Sequence, residues 1–340
     1  MSEIAHPAPD GWLKRFFLSL VILALLAGLL LVPWAVCWLT ASGELDQEEV
    51  VARQAQGEFV LFGPGLAQDI MAYKLALYAA VKPEVVVLGS SRAGNVRAAF
   101  FERPFVNMAG AATDLESLRL LVDRMLAVHR PRVVLLGLDF WWLTAGAPAG
   151  HPERIVQPSL LDASTLRAPW RWLVQGRIAP ADMLAPLQHR LRADRYGLEA
   201  QLRDTGYGPD GSLYEGAVLD GRRPAPDHAF ARTLRELESG SGVWAGSLAP
   251  DRERLEAFAE ICCRLRSRGI RTIVFLPPLA TPVLGALADR NGGDAGWLSA
   301  LRQGLLDCGV ESMDFSDPRV YGSGDCEMMD GLHGGDVIGA

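Results

Sequence analysis

Residues 16–39 read FFLSLVILALLAGLLLVPWAVCWL, an apolar stretch without one charged side chain. In hydrocarbon a backbone must satisfy its N–H and C=O groups internally, and a helix of about 20 residues does so while crossing a core about 30 Å thick. The stretch therefore predicts a transmembrane helix. A cleaved signal peptide would have a shorter apolar region, about 7–15 residues, followed by a small-residue cleavage site. Trp34 and Trp38 suit an interfacial aromatic belt instead. Lys14 and Arg15 precede the helix, whereas Glu44, Asp46, Glu48 and Glu49 follow it. The positive-inside rule then puts residues 1–15 in the cytoplasm and everything beyond the helix on the other side of the membrane. Ala24 and Gly28 form a small-xxx-small pair, a pattern that lets transmembrane helices approach one another closely.

The chain of 340 residues is long enough to bury a core without disulfide staples. Its net charge of −7, with basic residues scattered, gives no reason to expect a nucleic-acid partner. Of the five cysteines, Cys37 lies in the predicted span, and Cys262 and Cys263 sit in a helical pattern. Cys308 and Cys326 are compatible with a disulfide in an oxidising compartment, although spacing alone does not establish one. No Cys/His cluster has zinc-ligand spacing, and no stretch requires a cofactor, so neither a metal nor a cofactor is expected.

After the span, residues 40–83 read as a connecting segment with helical character, interrupted by the turn signal Gly63-Pro64-Gly65. From residue 84 strand-length apolar runs alternate with helical patterns. Strands are predicted at 84–89, 105–108 and 132–138, with an amphipathic helix over 114–129. The alternation resumes with a helix over 253–268, a strand over 271–276, a helix over 297–306 and a strand over 311–315. This is the signature of an α/β domain with a parallel sheet, spanning residues 84–340. Residues 141–250 break the pattern as a large insertion containing Trp141, Trp142, Trp170, Trp172 and Trp244. Such an insertion at the carboxyl end of a strand either walls a ligand site or forms a peripheral subdomain with the tryptophans as its core. Asp210-Gly211-Ser212 is a turn signal within it.

Two short stretches carry candidate chemistry. Ser91 follows an apolar strand through Gly89, which places its side chain at the sheet's carboxyl edge and frees its backbone N–H. The same residues also suit a tight turn with N-capping serines. Arg92 beside it would either neutralise an anionic substrate or pair with a carboxylate. Far along the chain, the three-residue spacing of Asp330 and His333 lets a carboxylate reach an imidazole across one helical turn. A serine hydroxyl needs such an imidazole to take its proton and a carboxylate to hold the ring in the right tautomer.

Taken in order, these elements resemble the SGNH (GDSL-type) hydrolase superfamily. Its four blocks correspond here to Gly89-Ser90-Ser91, Asn107-Met108-Ala109-Gly110, Gly137-Leu138-Asp139-Phe140 and Asp330-Gly331-Leu332-His333. The resemblance implies a three-layer, doubly wound, flavodoxin-like sheet. It makes Ser91 the nucleophile, His333 the base, Asp330 its orienting partner, and the N–H groups of Ser91 and Gly110 the oxyanion donors. Ser90 stands where the family usually has Asp, as in the membrane-anchored DltD-like branch. Asp139 stands where the family has an oxyanion-donating Asn, and an ionised carboxylate has no hydrogen to give. Asp139 is therefore protonated by burial, or points elsewhere, or caps the segment after its strand, or marks a site slowed or changed in purpose. Residues 334–340 are too few for a sealing helix, so the base is expected on a loosely held terminus.

The resemblance further implies a location at the bacterial inner membrane, single-pass, with the catalytic domain periplasmic or extracellular. It also implies an acyl-ester hydrolase or O-acyltransferase acting on cell-envelope or exported polysaccharide, with an acyl carrier as a possible second substrate. The alternatives are an impaired, glycan-binding or assembly component on the same scaffold, and a structural partner of a membrane acyltransferase docked through the span.

Overall fold

The computed structural model describes residues 10–66, 68–144, 158–186, 188, 190–222, 224, 227–245, 249–290 and 296–335. Most of the expected cytoplasmic segment 1–15 lies outside these residues, as does the side chain of Ala24. The fold is mixed α/β with one long N-terminal apolar helix, α1, Asp10–Ala41. Its 32 residues extend about 48 Å at 1.5 Å per residue. Over most of its length the described apolar side chains are exposed, Leu29 and Leu30 among them, while Ala35, Trp38 and Leu39 near its end are fully buried. By length and composition the helix can span a membrane, and its protein contacts are confined to its carboxyl end.

The segment expected to be a mere connection is part of the packed body. It forms helix α2 (Gln47–Ala55), strand β1 (Leu61–Phe62) and helix α3 (Ile70–Val81), and buries Val50, Val60, Phe62, Tyr73, Leu77 and Tyr78 completely. Its strand escapes detection because it is two residues long and finds its partners late in the chain. β1 pairs in parallel with β5 (Arg195–Tyr196) and antiparallel with β6 (Thr205–Tyr207), which pairs in turn with β7 (Leu213–Glu215). The small mixed sheet thus ties residues 40–83 to the insertion.

The main sheet contains β2 (Val85–Leu88), β3 (Phe105–Asn107), β4 (Val133–Gly137), β8 (Arg271–Leu276) and β9 (Ser312–Asp314). All pairings are parallel, in the order β3-β2-β4-β8-β9. Strands covered on both faces read as continuous apolar runs, as Val85-Val86-Val87-Leu88 does. Helix α4 (Leu115–Val128) follows from local rules. Asp114 and Ser117 form a capping box, and Leu118, Leu121, Val122 and Met125 fall on one buried face. The helix Arg252–Arg266, capped by Asp251, buries Leu255, Phe258, Ala259, Cys262 and Leu265 in the same way.

The insertion's tryptophans are structural. Trp142, Trp172 and Trp244 are buried, and Trp34 and Trp38 of α1 pack on Trp170 and Trp172 of helix α5 (Ala163–Val174), with ring centroids 4.5 and 5.8 Å apart. Glu44, just past α1, fastens this junction by accepting the N–H groups of Gly65, Leu66 and Leu198 at 2.5–3.2 Å. Burial pushes its carboxyl up to about 7 in spite of these donors. Cys308 and Cys326 are free thiols and form no disulfide.

Candidate active site

The order of the five strands reverses around β2: the chain goes from β2 outward to β3, then returns to the other side of β2 as β4. At such a switch point the connections leave in opposite directions and open a crevice at the carboxyl ends of the strands. Ser91 follows β2 at that edge, Asp139 follows β4, and Asn107 ends β3. Gly89 makes the tight exit possible. Its φ is +140°, and a Cβ there would lie 2.7 Å from the Gly137 carbonyl oxygen. Ser90 then caps a short 3-10 turn, Ser91–Ala93, by accepting the Arg92 N–H. The Ser91 N–H sits at the first position of that turn, where it has no intrahelical partner.

The exposed Ser91 Oγ lies 2.9 Å from His333 Nε2. On the ring's other side, His333 Nδ1 is 2.9 Å from each oxygen of Asp330. Asp330 also accepts the N–H groups of Leu332 and His333, both at 2.8 Å. Burial works to raise its carboxyl, but the imidazole and these two donors outweigh it and hold Asp330 below the usual carboxylate range. An ionised Asp330 accepts the Nδ1 proton and leaves the Nε2 lone pair facing the serine, the tautomer a general base requires.

His333 is not on a loose terminus. Arg92 Nε donates to the Leu332 carbonyl at 3.0 Å, and the Asn95 amide donates to the Gly334 carbonyl, so the segment 91–95 holds the chain on both sides of His333. Met329 N–H donates to the His333 carbonyl, and the Gly331 carbonyl accepts from Ala280. Gly331 packs so closely on Thr233 that a Cβ would come within 2.5 Å of that side chain. These anchors come from distant segments, which is why the short stretch after His333 gave no sign of them.

Arg92 and Asp139 are turned toward each other. The two form a buried ion pair, Nη1 to Oδ1, at 2.9 Å. Arg92 Nη2 also donates to the carbonyls of Pro277 and Pro278 at 2.8 and 2.6 Å. Burial opposes both charges, raising the Asp139 carboxyl and lowering the Arg92 guanidinium, and each is offset chiefly by the other; the Ser90 side chain also favours the charged carboxylate. Gly110, the second expected oxyanion donor, gives its N–H to the Gly89 carbonyl at 2.9 Å. Of the three expected donors, Ser91 N–H alone stays uncommitted.

Asn107 was not singled out as a working residue. Fully buried, its amide nitrogen donates to the carbonyls of Ala93, Gly94 and Val96 at 2.9–3.2 Å while its oxygen accepts the Ala109 N–H at 2.8 Å. It stitches the turn after Ser91 to the end of β3. The available signal was an amide closing an apolar strand, because a buried amide needs partners. Beneath it, the buried Lys74 of α3 donates to the Asn107 and Gly211 carbonyls, and burial pushes its ammonium down to about 7.

No protein-family model, curated protein or solved structure matches the chain.

Proposed function

We propose that the protein is a membrane-tethered, SGNH-like serine acyl-ester hydrolase or O-acyltransferase. The observation that carries this reading is the Ser91–His333–Asp330 relay, with both links at 2.9 Å. In the proposed reaction Ser91 Oγ attacks an ester carbonyl as His333 Nε2 takes the hydroxyl proton. The tetrahedral intermediate collapses, the C–O bond to the leaving alcohol breaks, and His333 returns the proton to that oxygen. The acyl-enzyme then passes its acyl group to water or to an acceptor hydroxyl, again with His333 as base. Asp330 orients the imidazole and stabilises its transient charge without taking the proton.

The tether supports a substrate met at a membrane surface. Together with the resemblance in the four blocks, it points to O-acylated cell-envelope or exported polysaccharide at the outer face of the bacterial cytoplasmic membrane, with residues 1–15 in the cytoplasm. A second reading is an impaired scaffold that binds glycan or assists assembly. The commitment of the Gly110 N–H to Gly89, and of Asp139 to Arg92, favours it, because few donors then remain for an oxyanion.

A fluorophosphonate probe separates the two. The enzyme reading expects labelling of the full chain in detergent that is abolished in Ser91→Ala. Absence of labelling in a folded wild-type chain, with glycan binding retained, supports the scaffold instead. Titrating an acceptor sugar distinguishes transfer, which consumes acceptor, from hydrolysis, which releases free acid regardless.

A further inference from the structure

Helix α5 has two faces. Thr165, Ala168, Pro169 and Trp172 are buried, and this face meets the carboxyl end of α1. The exposed stripe of the helix consists of Ser164, Arg167, Arg171 and Val174, and Leu161 is exposed in the turn just before it. Leu161 is 94% and Val174 88% exposed, more than any other large apolar side chain among the described residues. Arg167 and Arg171 lie between them, and neither has a carboxylate partner among the described residues. Two guanidiniums without a carboxylate partner among the described residues, close to two bare aliphatic side chains, would be an odd choice for a face bathed only in water.

The depth of this helix follows from α1. From Lys14 to Trp34 the helix rises about 30 Å at 1.5 Å per residue, the thickness of a hydrocarbon core. Trp34 therefore falls at the outer interface when Lys14 lies at the inner one. The Trp34 indole packs tilted against Trp170 of α5, and its Nε1 donates to the Met183 carbonyl at 3.2 Å. Next to that carbonyl, Leu184 is a further half-exposed apolar side chain. α5 is thus held at headgroup level by the helix that enters the membrane.

We infer that α5 lies on the outer leaflet as an interfacial helix, with Arg167 and Arg171 on the phosphates of anionic lipids and Leu161 and Val174 below the headgroups. This rests on α1 spanning the bilayer and is independent of the proposed chemistry. Juxtamembrane arginines gain from an anionic surface, and aliphatic side chains gain when they leave water at the acyl boundary. The domain then stands on the membrane at two places, the span and α5, and its height above the bilayer is set.

Hydroxyl-radical footprinting of the full chain in nanodiscs tests this. Val320, 80% exposed and remote in sequence, serves as the reference after correction for intrinsic Leu and Val reactivity. In nanodiscs containing phosphatidylglycerol, Leu161 and Val174 are expected to oxidise at least several-fold more slowly than Val320, and the double variant R167E/R171E is expected to restore much of the rate. Oxidation of Leu161 and Val174 at the Val320 rate, with Leu29 and Leu30 of α1 protected, overturns the interfacial contact and leaves the span standing. Leu29 and Leu30 left unprotected would sink the transmembrane reading itself.

Discussion

Arg92 and Asp139 meet 2.9 Å apart at the carboxyl ends of adjacent strands, their side chains only 3% and 1% exposed. The Ser91–Ala93 turn is thereby locked to β4 and, through the other nitrogens of Arg92, to the prolines after β8 and the backbone beside His333. A buried pair like this is weak evidence of net stabilisation, but removal of one partner strands a charge.

Asp139→Asn is therefore expected to lose about 3 kcal/mol of stability and to lower ester turnover. The substitution restores the residue type that would donate to an oxyanion. If Asp139 stood in that position, turnover would rise instead, so thermal unfolding together with p-nitrophenyl ester kinetics decides between the two roles.

Asp330→Asn should leave the fold intact and reduce kcat by about four orders of magnitude, because the amide no longer imposes the Nδ1–H tautomer on His333. His333→Ala is expected to abolish fluorophosphonate labelling at Ser91. Retention of full labelling in that variant would remove His333 as the base.

Asn107→Ala removes one donor group shared by three carbonyls and one acceptor for Ala109. Leaving buried groups unpaired costs about 1–3 kcal/mol. The Ser91 turn should loosen at the same time, so hydrogen exchange of residues 91–96 is expected to quicken in the variant while that of α4 is unchanged.

Glu44 gives stability a pH dependence. The folded carboxyl keeps its proton up to about pH 7, whereas an ordinary Glu releases it near 4.5. The folded state binds the extra proton across that interval, so stability falls as pH rises through it and levels off above about 7. The drop is on the order of 3 kcal/mol. Melting curves of the detergent-solubilised chain from pH 4.5 to 8 should show it, and Glu44→Gln should flatten that slope.

Where local pattern is strong, sequence and structure agree. The Asp114/Ser117 box with Leu118, Leu121, Val122 and Met125 places α4 to within a residue or so at each end, and the unbroken Val85–Leu88 run places β2. Strand β1 was hidden because two residues carry no period, and its partners in β5 and β6 lie across the insertion. Ser91, Asp330 and His333 were legible as candidates through the resemblance of four short blocks taken in order. Their supports, Asn107, Asn95 and the Arg92–Asp139 pair, were not, because a polar side chain shows its role only when its partners are in place.

The sequence alone determined the apolar span, the alternating strands and helices, and the candidate residues Ser91, Asp330 and His333. Hydropathy, helical period and capping act between neighbours in the chain, so they can be read there. Tertiary structure decided that residues 40–83 belong to the packed body, that Trp170 and Trp172 grip α1, and that Gly110 spends its N–H on Gly89. It also settled Asp139 as the counter-charge of Arg92. The cost of a buried charge or an unpaired N–H depends on groups brought together from distant segments, and only the folded chain names them.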